Sequence, residues 1–129
     1  MSHRFDLRVY YEDTDLAGIV YYANYLKFIE RARTEYVRSL GIDQVALKAH
    51  QGIVFAVRRV EADYVMAAKF DDELQVETTP EQVSGARIVL KQVIRRGADV
   101  VFEAIVTLVA LNESGQPTRL PANIRLILH

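Results

Sequence analysis

The stretch Tyr22-Ala23-Asn24-Tyr25-Leu26-Lys27-Phe28-Ile29-Glu30-Arg31-Ala32-Arg33-Thr34-Glu35-Tyr36-Val37-Arg38-Ser39-Leu40-Gly41 decides the fold. Tyr25, Phe28, Ile29, Ala32, Tyr36 and Leu40 recur at spacings of three or four, which makes one apolar stripe along a helix. Lys27, Glu30, Arg31, Thr34, Glu35 and Arg38 supply its polar side. The pattern predicts a helix from about Tyr22 to Leu40. Gly41 stands where a left-handed residue ends a helix, and Ile42 is placed to close a Schellman motif against Val37.

Upstream, Phe5, Leu7, Val9 and Tyr11 alternate with Asp6, Arg8 and Tyr10, the period of a half-buried strand. Between that strand and the helix, Tyr11-Glu12-Asp13-Thr14-Asp15-Leu16-Ala17-Gly18-Ile19-Val20-Tyr21-Tyr22 crowds three acids, a glycine and paired tyrosines into one junction. A strand-to-helix junction aims a carboxylate and unpaired helix-terminal N–H groups at one point in space. That geometry suits attack on a carbonyl whose oxygen turns negative. Asp15 is the candidate carboxylate of an enzyme, although spacing alone favours a loop or capping acid. Glu12 and Asp13 read as solvated or structural partners. An EF-hand pattern is excluded: Ala17 and Asn24 occupy ligand positions that need oxygen donors, the latter replacing a bidentate Glu. His3, His50 and His129 have no ligand spacing and are expected at the surface.

Downstream, Asp43 to Gly52 is less regular and reads as a short helical turn and loop. From Ile53 the pattern becomes strand-like. Val54 to Met66 carries Phe55, Val57, Val60, Ala62 and Tyr64, and Leu74, Val76 and Thr78 alternate with Glu73, Gln75 and Glu77. Ile88 to Arg95 is mixed, and Val100 to Leu111 is apolar enough for a strand covered on both faces. Ser84-Gly85 and Arg96-Gly97-Ala98-Asp99 mark turns between neighbouring strands, and Asn112 to Pro117 marks an exposed loop. A long helix followed by consecutive strands predicts an α+β layer, a curled, mostly antiparallel sheet around one central helix. One helix leaves the other sheet face and the edges open, which predicts a homo-oligomer.

The 129 residues fit a single domain, 1–129, and carry a net charge of −1, which gives no footprint for nucleic acid. Cysteine is absent, so disulfides and thiolate metal sites are excluded and a reducing cytoplasm is the expected location. No apolar run is long enough to span a bilayer, and Met1-Ser2-His3-Arg4 does not open a signal peptide.

The run Tyr10-Tyr11-Glu12-Asp13-Thr14-Asp15, Gly18, Val20-Tyr21, Tyr25, Phe28, Glu30 and Ala32-Arg33 resembles the hotdog-fold acyl-CoA thioesterases. Within them it is similar to the YbgC-type branch, related to 4-hydroxybenzoyl-CoA thioesterase. Tyr64 followed by Asp72-x-Leu74-x-Val76 is a second matching block. The resemblance implies a curled sheet wrapped on one helix, hydrolysis of acyl-CoA to acid and CoA, and homodimers or homotetramers. It implies Asp15 as catalytic carboxylate and the Tyr22 backbone N–H as the group that polarises the thioester carbonyl. Tyr22 stands where many members of that branch have His.

The chemistry is coherent. A thioester carbonyl is electrophilic and its thiolate leaves readily, so one carboxylate suffices as nucleophile or general base. Gly18 permits close backbone approach, and Tyr21, Tyr22 and Tyr25, with Val20, are candidates to line the acyl or pantetheine channel, packing at the helix start being the first role for Tyr25. Arg58, Arg59, Arg95 and Arg96 are candidates to meet CoA phosphates. No metal or redox cofactor is implied, since CoA is itself part of the substrate. The alternatives are a non-catalytic acyl-CoA- or partner-binding module on the same fold, an acyl-carrier-protein thioesterase, and a hotdog dehydratase. A dehydratase is disfavoured because its usual His is missing.

Overall fold

The computed structural model describes residues 2–128, so Met1 and His129 lie outside the described residues. In chain order the elements are β1 (His3–Arg8), α1 (Asn24–Ser39), α2 (Gln44–Gln51), β2 (Val54–Tyr64), β3 (Glu73–Val83), β4 (Arg87–Arg96), β5 (Asp99–Leu111) and α3 (Ala122–Leu128). The five strands form one antiparallel sheet in the order β1-β3-β4-β5-β2. The α+β arrangement with a long helix on a curled sheet is the one the sequence implied.

The predicted stripe is the buried one: Tyr25, Phe28, Ile29, Ala32 and Tyr36 join Val37 in the core. They meet the inward residues of the sheet, including Leu74 and Val76, Leu90 and Ile94, and Phe102, Ala104 and Val106. The helix begins at Asn24 rather than Tyr22, because Tyr22 and Ala23 form a turn that leads into it. Its other end is the Schellman motif foreseen. Gly41 has φ +80°, its N–H donates to Arg38 O at 3.0 Å, and the Ile42 N–H donates to Val37 O at 3.4 Å.

Three expectations need correcting. Asp43–Gly52 contains a proper helix, α2, capped by the Asp43 carboxylate accepting from Ala46 N–H and ended by Gly52 in a left-handed conformation. Strand β5 is covered by this chain on its inward side only. Ala104, Val106, Leu108 and Ala110 are buried, whereas Ile105, Thr107, Val109 and Leu111 are half-buried. His3 is half-buried instead of at the surface, with its ring centroid 6.0 Å from that of Tyr36, while His50 is exposed as expected.

Strand β2 forms one edge and is exposed from Val57 to Tyr64. A bulge at Arg58 shifts its register, so Val57 opposes Leu108 while Val60 opposes Val106, and both face inward. Even so, Val57, Val60 and Tyr64 remain partly open to solvent.

Candidate active site

Just past β1, Val9 is fully buried, accepts from Asp71 N–H and donates to Asp72 O, both at 2.9 Å. The chain then turns outward through one 3-10 turn, Tyr11–Asp13, so Tyr11 is exposed rather than on the strand's apolar face. Asp13 has a structural job. Its Oδ2 accepts from Tyr10 N–H at 2.8 Å, and its carbonyl accepts from Tyr21 N–H and Asn24 Nδ2, each at 2.9 Å. These bonds strap the junction across the start of α1.

Asp15 rides on the loop this strap defines. The loop closes by Asp15 N–H to Ile19 O at 2.9 Å and Gly18 N–H to Asp15 O at 3.0 Å. Gly18 has φ +81° with open space where a Cβ would lie, so here the glycine serves the turn's left-handed backbone. The Asp15 Oδ1 accepts from Ala17 N–H at 3.0 Å, and among the described residues Oδ2 makes no hydrogen bond. An exposed carboxylate is thus oriented by one oxygen and free at the other. Val20 is a correction: at 2% exposure its side chain belongs to the core, and its N–H donates to Ala68 O at 2.8 Å. It anchors the loop from beneath instead of lining a channel.

Beside this loop the first turn of α1 is open. Ala23, its N-cap, offers no side-chain cap, and among the described residues the Tyr22 N–H has no acceptor. Tyr21 and Tyr22 are exposed, with ring centroids 5.0 Å apart. Below them Tyr25 stacks on Phe102 at 5.1 Å and its hydroxyl accepts from Ala68 N–H at 3.1 Å. Burial pushes the Tyr25 hydroxyl up from its ordinary pKa, and Arg96, Asp72 and Asp15 all act on it electrostatically. The loop, the helix start and the Ala67–Asp72 segment therefore converge on one place.

The four arginines do not converge. Arg59 pairs with Glu61 at 2.9 Å, and Arg95 with Glu77 at 2.5 Å on the outward face of the sheet. Arg96 pairs with Asp72 at 2.7 Å and also donates to Ala67 O at 3.3 Å, so it braces the segment beneath the site. Burial pushes the Asp72 carboxyl up, but the Lys69 N–H and the Arg96 guanidinium together hold it below its ordinary value. Only Arg58 of the four has no carboxylate partner among the described residues.

Sequence reasoning missed a buried polar relay. Gln92 is fully buried, donates from Nε2 to Ile29 O and Thr78 Oγ1, each at 2.9 Å, and accepts from Arg33 Nη1 at 3.0 Å. On the solvated side of α1, Glu30 accepts from Thr34 Oγ1 at 2.9 Å. The signal for the relay was present: Gln92 interrupts the inward series Ile88, Leu90, Ile94.

An oriented carboxylate, an uncapped helix start and exposed tyrosines in a curled sheet around one helix are what a hydrolase acting on an activated carbonyl requires. The family model of the thioesterase superfamily matches residues 17–103, and the chain belongs to that family. Asp15 lies just outside that match. The acyl-CoA thioesterase YbgC of Haemophilus influenzae is 43% identical over 127 residues, spanning 97% of this chain and 93% of that protein. A probable thioesterase from Bartonella henselae superposes with a TM-score of 0.88 at 36% identity, over 94% of this chain and 100% of that one. A 4-hydroxybenzoyl-CoA thioesterase solved with 4-hydroxybenzoyl-CoA superposes at 0.91 over 99% of each chain, and at 24% identity the likeness is one of fold.

Proposed function

We propose that this enzyme hydrolyses acyl-CoA thioesters to the free carboxylic acid and CoA, with Asp15 as its catalytic carboxylate and the Tyr22 N–H as oxyanion donor. The observation that carries the assignment is the loop that sets a half-satisfied Asp15 carboxylate beside the acceptor-free turn at the start of α1. Asp15 either takes a proton from water as it adds to the carbonyl, or adds directly to give an anhydride that water opens. In both routes the C–S bond breaks and CoA leaves as thiolate. The partial positive charge at the helix start favours the oxyanion on the way.

Tyr21 and Tyr22 supply the exposed aromatic surface for the acyl or pantetheine arm, and of the four candidate arginines Arg58 is the one without a carboxylate partner among the described residues, and so available to a CoA phosphate. Arg59, Arg95 and Arg96 would first have to leave their carboxylates. We place the protein in the cytoplasm, in keeping with its lack of cysteine. We also propose a homodimer or homotetramer, because an 11-residue edge strand with exposed Val57, Val60 and Tyr64 invites a second copy.

The test is release of free thiol from a panel of benzoyl, short-chain and long-chain acyl-CoA thioesters, with acyl carrier protein thioesters alongside. Turnover of one or more CoA thioesters is expected. Binding without turnover would leave the acyl-CoA-binding module as the better reading, and turnover confined to carrier-protein thioesters would change the substrate.

A further inference from the structure

Strand β2 ends on Tyr64, directly opposite Phe102 of β5. The Tyr64 ring stands edge-on to three others, with centroids 5.1 Å from Phe102, 5.6 Å from Tyr25 and 6.2 Å from Tyr22. From that socket its hydroxyl donates to the Tyr22 carbonyl at 3.1 Å, across 42 positions of the chain. Burial and then the neighbouring Tyr22 and Tyr25 hydroxyls push its own pKa above the ordinary tyrosine value, so the group is a neutral donor near neutral pH.

The carbonyl of Tyr22 and the N–H of Ala23 belong to one planar peptide unit. A donor at the carbonyl end fixes the rotation of that unit and polarises its N–H. The preceding unit is treated likewise: Asn24 N–H donates to the Tyr21 carbonyl at 2.8 Å, opposite the Tyr22 N–H. Among the described residues neither the Tyr22 nor the Ala23 N–H has an acceptor. Two successive peptide units are thus held from their carbonyl ends and left open at their N–H ends.

We propose that Tyr64 is a positioning residue for thioester hydrolysis: through the Tyr22 carbonyl it fixes the Tyr22–Ala23 peptide, and with it the Ala23 N–H, so that this donor joins the Tyr22 N–H on the oxyanion as a preset pair. The inference rests on the reading of the Tyr22 N–H as oxyanion donor and adds Ala23 as the second. Tyr64 itself touches no reacting atom. Its value lies in the transition state, because donors fixed in advance need no reorganisation as charge develops on the carbonyl oxygen. In the ground state the same donors meet only a weakly charged oxygen, so substrate binding gains little.

Tyr64→Phe removes the hydroxyl and keeps the ring in its socket. It should lower kcat about five- to tenfold, the worth of one neutral hydrogen bond, with KM and the melting temperature almost unchanged. A second readout uses two CoA analogues bound to protein carrying Asp15→Asn. One is a trifluoromethyl ketone whose hydrate puts a tetrahedral oxygen into the site, and the other is an S-alkyl thioether with no carbonyl. Tyr64→Phe should weaken the ketone by the same about five- to tenfold factor and leave the thioether alone. The ratio of the two affinities is read on folded protein, so a folding defect cannot imitate it.

A kcat retained within about twofold, or an equal loss of affinity for both analogues, overturns the proposal. Full activity in Asp15→Asn would instead remove the carboxylate assignment, and the analogue ratio would still judge Tyr64.

Discussion

The two ends of α1 are finished in opposite ways. At the C-terminal end every device for closing a helix is present: Gly41 in the left-handed region, paired Schellman hydrogen bonds, and Tyr36 buried one turn earlier. At the N-terminal end Ala23 provides no side-chain cap, Tyr21 and Tyr22 are exposed, and a carboxylate with one free oxygen stands by. A side-chain cap would satisfy the N–H groups and stabilise the helix by about 1 kcal/mol. Leaving them open gives that stability up for a place where negative charge is welcome. Where one helix is closed at one end and open at the other, the open end is where the proposed chemistry sits.

Asp15→Asn breaks the open end most severely. It preserves size and hydrogen bonding but removes the charge, so kcat should fall at least about 100-fold, with the melting temperature nearly constant. Asp13→Asn is the matched control and should be far milder, since an amide oxygen can still accept from Tyr10 N–H. Steady-state kinetics decide it: Asp15→Asn retaining more than about a tenth of wild-type kcat removes Asp15 from the mechanism.

Gln92→Leu attacks what the two ends share, the attachment of the helix to the sheet. Thr78 and Arg33 lose their partner in a buried setting, so unfolding free energy in urea should drop by about 1–3 kcal/mol. The folded fraction should keep its kcat. Gly41→Ala damages the closed end alone. A Cβ there meets nothing within 4 Å, so the cost is only that of a left-handed alanine, about 1 kcal/mol. Activity per folded molecule should not change, in contrast to Asp15→Asn.

The smallest effect concerns pH. Because the folded Asp72 carboxyl sits below its ordinary value, its stabilising contribution is complete above the unfolded pKa of about 3.9 and is lost as pH falls through the folded one. Stability measured from neutral pH down to about 3 should therefore fall less steeply in Asp72→Asn than in the wild type.

Much of this was legible in the chain because periodic signals are local. The stripe of α1, its Gly41 stop and the inward set Phe55, Val57, Val60, Ala62 and Tyr64 need only neighbours along the sequence. That last set even skips a beat at Arg58, where the bulge falls. Helix α2 leaves little trace in the sequence because it buries a single residue, Leu47, too few to show a period. The misreadings at the site all involve partners far away in sequence. Val20 is buried through the Ala68 segment, Arg96 is claimed by Asp72, and Gln92 is held by Ile29 and Thr78. No local pattern carries those pairings.

The strand order also sets a timetable. β3, β4 and β5 follow one another through tight turns, whereas β1, made first, pairs only with β3 and so waits for a strand made much later. Local pairings form ahead of distant ones because they close smaller loops. The Asp15 loop is held through Val9 and Val20 to the Ala68–Asp72 segment, so it belongs to the late group. During refolding, amide protons of β4 and β5 should gain protection from exchange before that of Val9. On the ribosome, the loop proposed to do the chemistry emerges before the strands that hold it and is put in order last.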